Sequence, residues 1–116
     1  MSKIDLTLVR KTLIDEQVSL TVDIQNERDQ LQQHVEGNPD VFDLADKRRH
    51  QEIAASRLSL MNQRVEQVRA ALKRLDEGKY GICARCDKDI NPERLKAIPY
   101  TTFCVSCQEQ LERANR

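Results

Sequence analysis

The sequence predicts an all-α dominated fold: a long antiparallel coiled-coil helical hairpin, followed by a small C-terminal four-cysteine module with a terminal helix. Three observations lead to this fold class. Two long runs without Pro or Gly carry apolar residues at three-and-four spacing, a Gly-Asn-Pro break separates them, and all four cysteines lie in the last third of the chain. We therefore expect the hairpin over 1–77, with its tip at 37–46, and the cysteine module over 78–116.

The first arm is predicted as a helix from Ile4 to Glu36. Its apolar stripe consists of Leu6, Val9, Leu13, Leu20, Ile24, Leu31 and Val35. Ile14, Val18 and Val22 widen that stripe on one side. A stripe of this width is suited to packing against more than one surface.

The second arm shows the cleaner pattern, an unbroken heptad repeat typical of a coiled-coil seam. Its stripe consists of Ala54, Leu58, Met61, Val65, Val68, Leu72 and Leu75. Gly78 follows that stripe as a natural C-cap, so the helix is expected to end where the cysteine module begins.

The break at Gly37-Asn38-Pro39 reads as a helix stop, an N-cap and a first-turn proline. A connection this short makes the two arms antiparallel. Counting outward from Pro39 brings Leu13 near Val65 and Leu6 near Leu72, so the two stripes can meet along their length.

The composition narrows the classes of partner. One third of the 116 residues are charged, only 3% are aromatic, and 19 basic side chains balance 19 acidic ones. A large core is not expected, and no overall basic field would attract nucleic acid or an anionic membrane.

The longest apolar runs fall far short of the roughly twenty residues that span a bilayer. The sequence shows no signal peptide at MSKIDLTLVR, so we expect a cytoplasmic protein.

The pairs Cys83-x-x-Cys86 and Cys104-x-x-Cys107, with residues 87–103 between them, are the strongest chemical signal in the chain. Two such pairs supply the four soft ligands of a closed tetrahedral Zn²⁺ site. Two disulfides or a thioredoxin-like redox pair are weaker interpretations, because the former suits secreted chains and the latter a βαβ pattern. We expect one structural zinc ion, with no position left for a substrate.

The predicted tip is acidic. Asp40 and Asp43 stand three residues apart, so that their carboxylates share one helical face and could meet a basic site or a cation together. Acidic residues in a first helical turn also complement the helix dipole, which leaves a purely structural role open. Phe42 either folds back onto the seam or faces a partner.

No arrangement typical of an enzyme is visible. The only histidines, His34 and His50, lie on the predicted arms, far in sequence from the cysteines, and are expected to be solvated surface residues. Zinc-bound thiolates cannot act as nucleophiles, and an exposed tip has no pocket that would raise one carboxyl pKa above the other. We therefore do not expect catalysis.

Two motifs occur together in this chain. The tip carries Asp40-x-x-Asp43-x-Ala45, and the module carries Tyr80-Gly81-x-Cys83-x-x-Cys86 followed by Arg94-Leu95, Pro99 and Cys104-x-x-Cys107. In this combination, and over nearly its whole length, the chain resembles the DksA/TraR family of bacterial transcription factors, in particular its shorter members.

The resemblance implies a regulator that binds RNA polymerase directly, inserts its coiled coil through the secondary channel and binds no promoter sequence of its own. Asp40, Asp43 and Ala45 would then lie near the polymerase active site and alter open-complex stability. The register Asp43-x-x-Asp46 is rejected because it places Arg48 where the family has alanine.

Responsiveness to the alarmone ppGpp stays open. Responsive members of the family use basic residues near the zinc module and the second helix, where this chain has Gln108 and Gln67, although Arg64, Arg69, Lys73 and Arg74 are nearby. We expect a monomer when bound to polymerase.

Two alternative functions remain. The chain could be a zinc-containing coiled-coil adaptor or dimerisation protein that does not act on polymerase. It could also cleave nascent transcripts with a metal held by Asp40 and Asp43, as the Gre factors that enter the same channel do, although the zinc motif points away from that class.

Overall fold

The computed structural model of the chain describes residues 5–36 and 44–115, and for residues 33–36 it describes the backbone only. The described residues form four helices: α1 (Leu6–Glu36), α2 (Leu44–Asp76), α3 (Pro92–Ala97) and α4 (Val105–Ala114). Within these ranges there is no β-strand, only an isolated antiparallel bridge between Ile82 and Asp89. The predicted fold class, a long helical hairpin with a small four-cysteine module, is confirmed. None of the described helices combines the length and apolar character that crossing a membrane requires.

The chain divides into two compact units. The first consists of Met1–Gln17 and Glu66–Arg116, and the second of Val18–Val65. The division between a hairpin over 1–77 and a module over 78–116 stays a prediction.

The second unit contains a pair of helical segments, one from each long helix. Ile24 on α1 and Ala54 and Val65 on α2 are buried, with 9%, 6% and 7% of their surface exposed. Beside this seam, Arg57 Nη1 lies 3.4 Å from Glu27 Oε1. Both predicted stripes therefore contribute to the buried side of this unit.

In the first unit, the start of α1 and the end of α2 bury their apolar residues more completely. Leu13 is 1% exposed, and Val68 and Ala71 are 0% exposed. Arg10 Nη2 forms an ion pair of 2.7 Å with Asp76 Oδ1 at the last residue of α2.

The register differs from the one obtained by counting outward from Pro39. The ion pairs join residue 10 to 76 and residue 27 to 57. The midpoint of each pair along the sequence therefore falls three to four positions after Pro39. Leu6, expected in the seam, is half exposed. Arg10 pairs with Asp76, the last residue of α2, and Leu6 lies one helical turn before Arg10, so that little of α2 is left to cover it.

The helix ends follow local sequence signals. At the start of α1, Asp5 Oδ1 accepts hydrogen bonds from the backbone N–H groups of Thr7 and Leu8, at 3.1 and 3.2 Å. At the end of α2, Gly78 has φ +74°, and the amides of Gly78 and Lys79 donate back to the helix. These bonds form a Schellman motif, so the predicted stop at Gly78 is confirmed.

Candidate metal centre

The first cysteine pair lies on a tight turn closed by backbone hydrogen bonds. The Cys83 N–H donates to the Lys88 carbonyl, and the Ile90 N–H to the Gly81 carbonyl, both at 2.8 Å. Asp87, directly after Cys86, has φ +63°, the left-handed conformation that lets the chain reverse there. This turn directs the Cys83 and Cys86 side chains towards one point.

The second pair lies where the chain enters α4. The Cys104 sulfur accepts the Cys107 backbone N–H at 3.5 Å and serves as the N-cap of the helix. The predicted terminal helix therefore begins at Val105. A 2.7 Å hydrogen bond from the Ala84 N–H to the Thr102 carbonyl joins the two turns.

The four cysteines come together in one cluster. The ligand atoms of Cys83, Cys86, Cys104 and Cys107 all lie within 4.8 Å of one another, and the Sγ atoms of Cys86 and Cys104 are 3.8 Å apart. A tetrahedral site with Zn–S bonds of about 2.3 Å requires sulfurs about 3.8 Å apart, so four thiolates at this spacing fit zinc. When bound, zinc would supply a closed structural cross-link between the two turns.

The thiols differ in how readily they ionise. Burial opposes ionisation of Cys83, but backbone amides of Cys104, Cys86 and Arg85 outweigh it and lower the pKa of that thiol to about 6. The Cys107 backbone amide lowers the pKa of Cys104. Burial, followed by the neighbouring sulfurs, raises the pKa of Cys107 to about 12. The fold thus prepares some thiolates in advance, whereas Cys107 requires a cation to hold its negative charge.

Apolar and polar contacts hold the two turns and the short α3 around the cluster. Ile90 is 0% exposed, and Leu95 of α3 is also buried. Asn91 Oδ1 caps α3 by accepting the Glu93 N–H at 2.9 Å, and Pro92 occupies the first turn of that helix. The Tyr80 hydroxyl donates to the Pro99 carbonyl at 2.9 Å, and burial raises the pKa of Tyr80.

Two arginine side chains donate hydrogen bonds to backbone carbonyl groups of the zinc module. Arg74, in the last turn of α2, donates from Nη2 to the Ile82 carbonyl at 2.8 Å. Arg94 donates from Nε to the Phe103 carbonyl at 3.2 Å. Neither partner is suggested by sequence spacing, because each bond joins residues from separate elements.

The predicted tip is only partly described. Asp40, Asp43 and Phe42 lie outside the described residues, whereas Ala45 is exposed in the first turn of α2. Asp46, which belongs to the rejected register, lies 3.9 Å from Arg49. The roles of Asp40, Asp43 and Ala45 stay predictions.

Three features of the centre were missed at the level of sequence. They are the left-handed Asp87, the sulfur cap made by Cys104 and the Tyr80 hydrogen bond to Pro99. The first two had a detectable signal. Aspartate tolerates positive φ better than most residues, and a side chain directly before a helical run can cap that helix.

The module and the hairpin together define a class: a mainly helical protein with a C4-type zinc finger. Residues 78–113 match the family model described as the prokaryotic dksA/traR C4-type zinc finger. The four cysteines within this match are the ligands for one structural zinc, which is the cofactor of the chain.

Similarity to individual proteins extends beyond the finger. An uncharacterised protein of Aquifex aeolicus is 49% identical over 43 residues, which cover 37% of this chain and 30% of the relative. The protein named RNA polymerase-binding transcription factor DksA of Caulobacter vibrioides is 29% identical over 86 residues, covering 74% of this chain and 61% of the relative. Both alignments span less than two thirds of the relative's own length.

A solved structure supports the fold. Transcription factor DksA2 from Pseudomonas aeruginosa superposes with a TM-score of 0.80 at 24% identity, covering 96% of this chain and 85% of that chain. At this identity the likeness concerns the fold alone.

Proposed function

We propose that this protein is a bacterial transcription regulator that binds RNA polymerase directly through the secondary channel and places its acidic tip near the active site. The observation that carries the proposal is the similarity to the Caulobacter factor named for polymerase binding. That similarity extends over 86 residues and is therefore much longer than the finger at 78–113, so it includes part of the hairpin.

The chemistry of the tip supports this role. Asp40 and Asp43 would present two carboxylates on one helical face, able to interact with basic groups or with a metal-bound centre. Ala45 is exposed and small, so it would let the tip approach a partner closely. Asp46 has Arg49 as a neighbour, so part of its charge is balanced within its own helix turn.

The remaining properties follow as parts of the same proposal. The protein would act on polymerase as a monomer and would not bind a promoter sequence. Because it binds polymerase, it would act in the cytoplasm. It would not catalyse a reaction. The proposal includes cooperation with ppGpp, which is supported by basic residues such as Arg69 and Lys73 on the last turns of α2.

The test is the lifetime of open complexes that bacterial RNA polymerase forms at a ribosomal-RNA promoter. We expect the wild-type protein to shorten the lifetime, and Asp43→Asn to lose this effect while still binding polymerase. Asp46→Asn is the matched control, because it removes the same charge three residues away and should behave as wild type.

Three outcomes would contradict the proposal. If polymerase is bound but neither protein changes the lifetime, the hairpin only blocks the channel. If Asp46→Asn has the larger effect, the assignment of the tip register is wrong. If polymerase is not bound, the adaptor function is favoured, and the exposed Val18 and Val22 on α1 become the first surface to test. A transcript-cleavage assay should show no cleavage.

A further inference from the structure

The two helical seams differ in how completely they are buried. In the second unit the best-buried residues, Ile24, Ala54 and Val65, keep 6–9% of their surface exposed. In the first unit Leu13, Val68 and Ala71 are 0–1% exposed. All six residues lie on the same two helices, so the helices alone do not account for the difference.

A third layer of side chains over the first seam would account for this difference in burial. Two packed helices leave one side of their seam open to water, whereas a residue at 0% exposure needs neighbours on every side. Ala71 indicates where the extra cover lies, because it is buried although it falls outside the heptad stripe that contains Val68, Leu72 and Leu75. The part of the first unit beyond the two helices is the zinc module.

Direct hydrogen bonds also join the module to the end of α2. Arg74 Nη2 donates to the Ile82 carbonyl at 2.8 Å, one residue before the ligand Cys83. The Lys79 N–H donates to the Arg74 carbonyl, also at 2.8 Å. The same residue therefore contacts the module on both its main chain and its side chain, so a change in the cysteine turn reaches the last turn of α2.

We propose that zinc binding and the pairing of the hairpin base are one cooperative event: metal release exposes the seam around Leu13, Val68 and Ala71 and frays residues 6–17 and 66–76, while the helices of 18–65 stay paired. Zinc content would thereby control the structure of the base of the hairpin. This inference does not depend on polymerase binding.

Hydrogen exchange of the full-length protein tests the proposal directly. Zinc-loaded protein is compared with protein treated with a zinc chelator under reducing conditions. We expect amides of 6–17 and 66–76 to exchange at least about tenfold faster without zinc, together with those of 79–115, and amides of 18–32 and 47–65 to change by less than about threefold. Acceleration limited to 79–115, or equal acceleration in all segments, would overturn the proposal.

A pair of variants supplies an independent test through zinc affinity, measured by competition with a chromophoric chelator. Leu13 lies far from the cysteines in sequence, and Leu13→Ala removes most of a side chain that is buried in the helix seam of the first unit. If the seam forms together with the metal site, this change should weaken zinc binding by at least about tenfold. Ile24→Ala, a comparable truncation in the second unit, should change the affinity by less than about twofold.

The results separate the possible couplings. Unchanged affinity in both variants means that the module binds zinc without the hairpin base, and equal loss in both means that the chain is a single cooperative body. Either result refutes the proposal. Circular dichroism of each zinc-saturated variant checks that its helices are formed, so that a loss of affinity reports coupling rather than general misfolding.

Discussion

Truncation of Ile90 measures how much the small core of the zinc module contributes. The side chain is 0% exposed, and its backbone N–H closes the first cysteine turn on Gly81. Ile90→Ala removes three carbons, worth about 2.5 kcal/mol at roughly 0.8 kcal/mol for each buried methylene. A cavity adds to this loss, so the free energy of unfolding should fall by about 2–5 kcal/mol.

The assay is urea denaturation of the zinc-saturated protein, followed by the displacement of zinc and by circular dichroism. Ile53→Ala provides the matched control, since Ile53 is 43% exposed on α2. There the lost burial is smaller, and the higher helix propensity of alanine returns about 0.4 kcal/mol. The free energy of unfolding of this control should therefore fall by no more than about 1 kcal/mol, less than the loss expected for Ile90→Ala.

The comparison can fail in two ways. A loss below about 1 kcal/mol for Ile90→Ala would mean that the metal alone holds the module and that the apolar core contributes little. An equal loss in the Ile53→Ala control would mean that Ile53 is covered in solution, against the exposure seen in the structure. Either result would refute the argument from burial.

Three further predictions concern the cysteine turns. Asp87→Gly should raise the free energy of unfolding by about 0.5–1 kcal/mol, because glycine adopts the observed φ of +63° without strain; equal or lower stability in thermal denaturation would contradict this. Zinc binding at pH 7.5 should release fewer than four protons, since the pKa of Cys83 is already lowered to about 6, and calorimetry in buffers of different ionisation enthalpy counts them. The lowered pKa of Cys83 stabilises the metal-free fold at pH values above the usual thiol pKa, and this contribution should disappear as the pH falls through about 6. The raised pKa of Cys107, about 12, acts in the opposite sense, so its contribution is lost as the pH rises towards that value.

Several parts of the protein could be read from the sequence because they depend on neighbours along the chain. Apolar spacing predicted both long helices, and Gly78 marked a helix end that the structure contains. The pairs of cysteines, each separated by two residues, predicted one zinc cluster, because a short turn can direct two thiolates at one ion. The tip residues Asp40, Asp43 and Ala45 remain predictions of function.

Other parts depended on which surfaces meet. The register of the arms, the exposure of Leu6 and the complete burial of Ala71 follow from how the helices pair and pack within the first unit. The left-handed Asp87 and the sulfur cap of Cys104 arise where two turns must direct four sulfurs to one point. Local sequence thus determined which elements form and which residues can bind zinc. The tertiary structure decided which apolar side chains are buried and how each thiol ionises, because burial and pKa depend on neighbours that are distant along the chain.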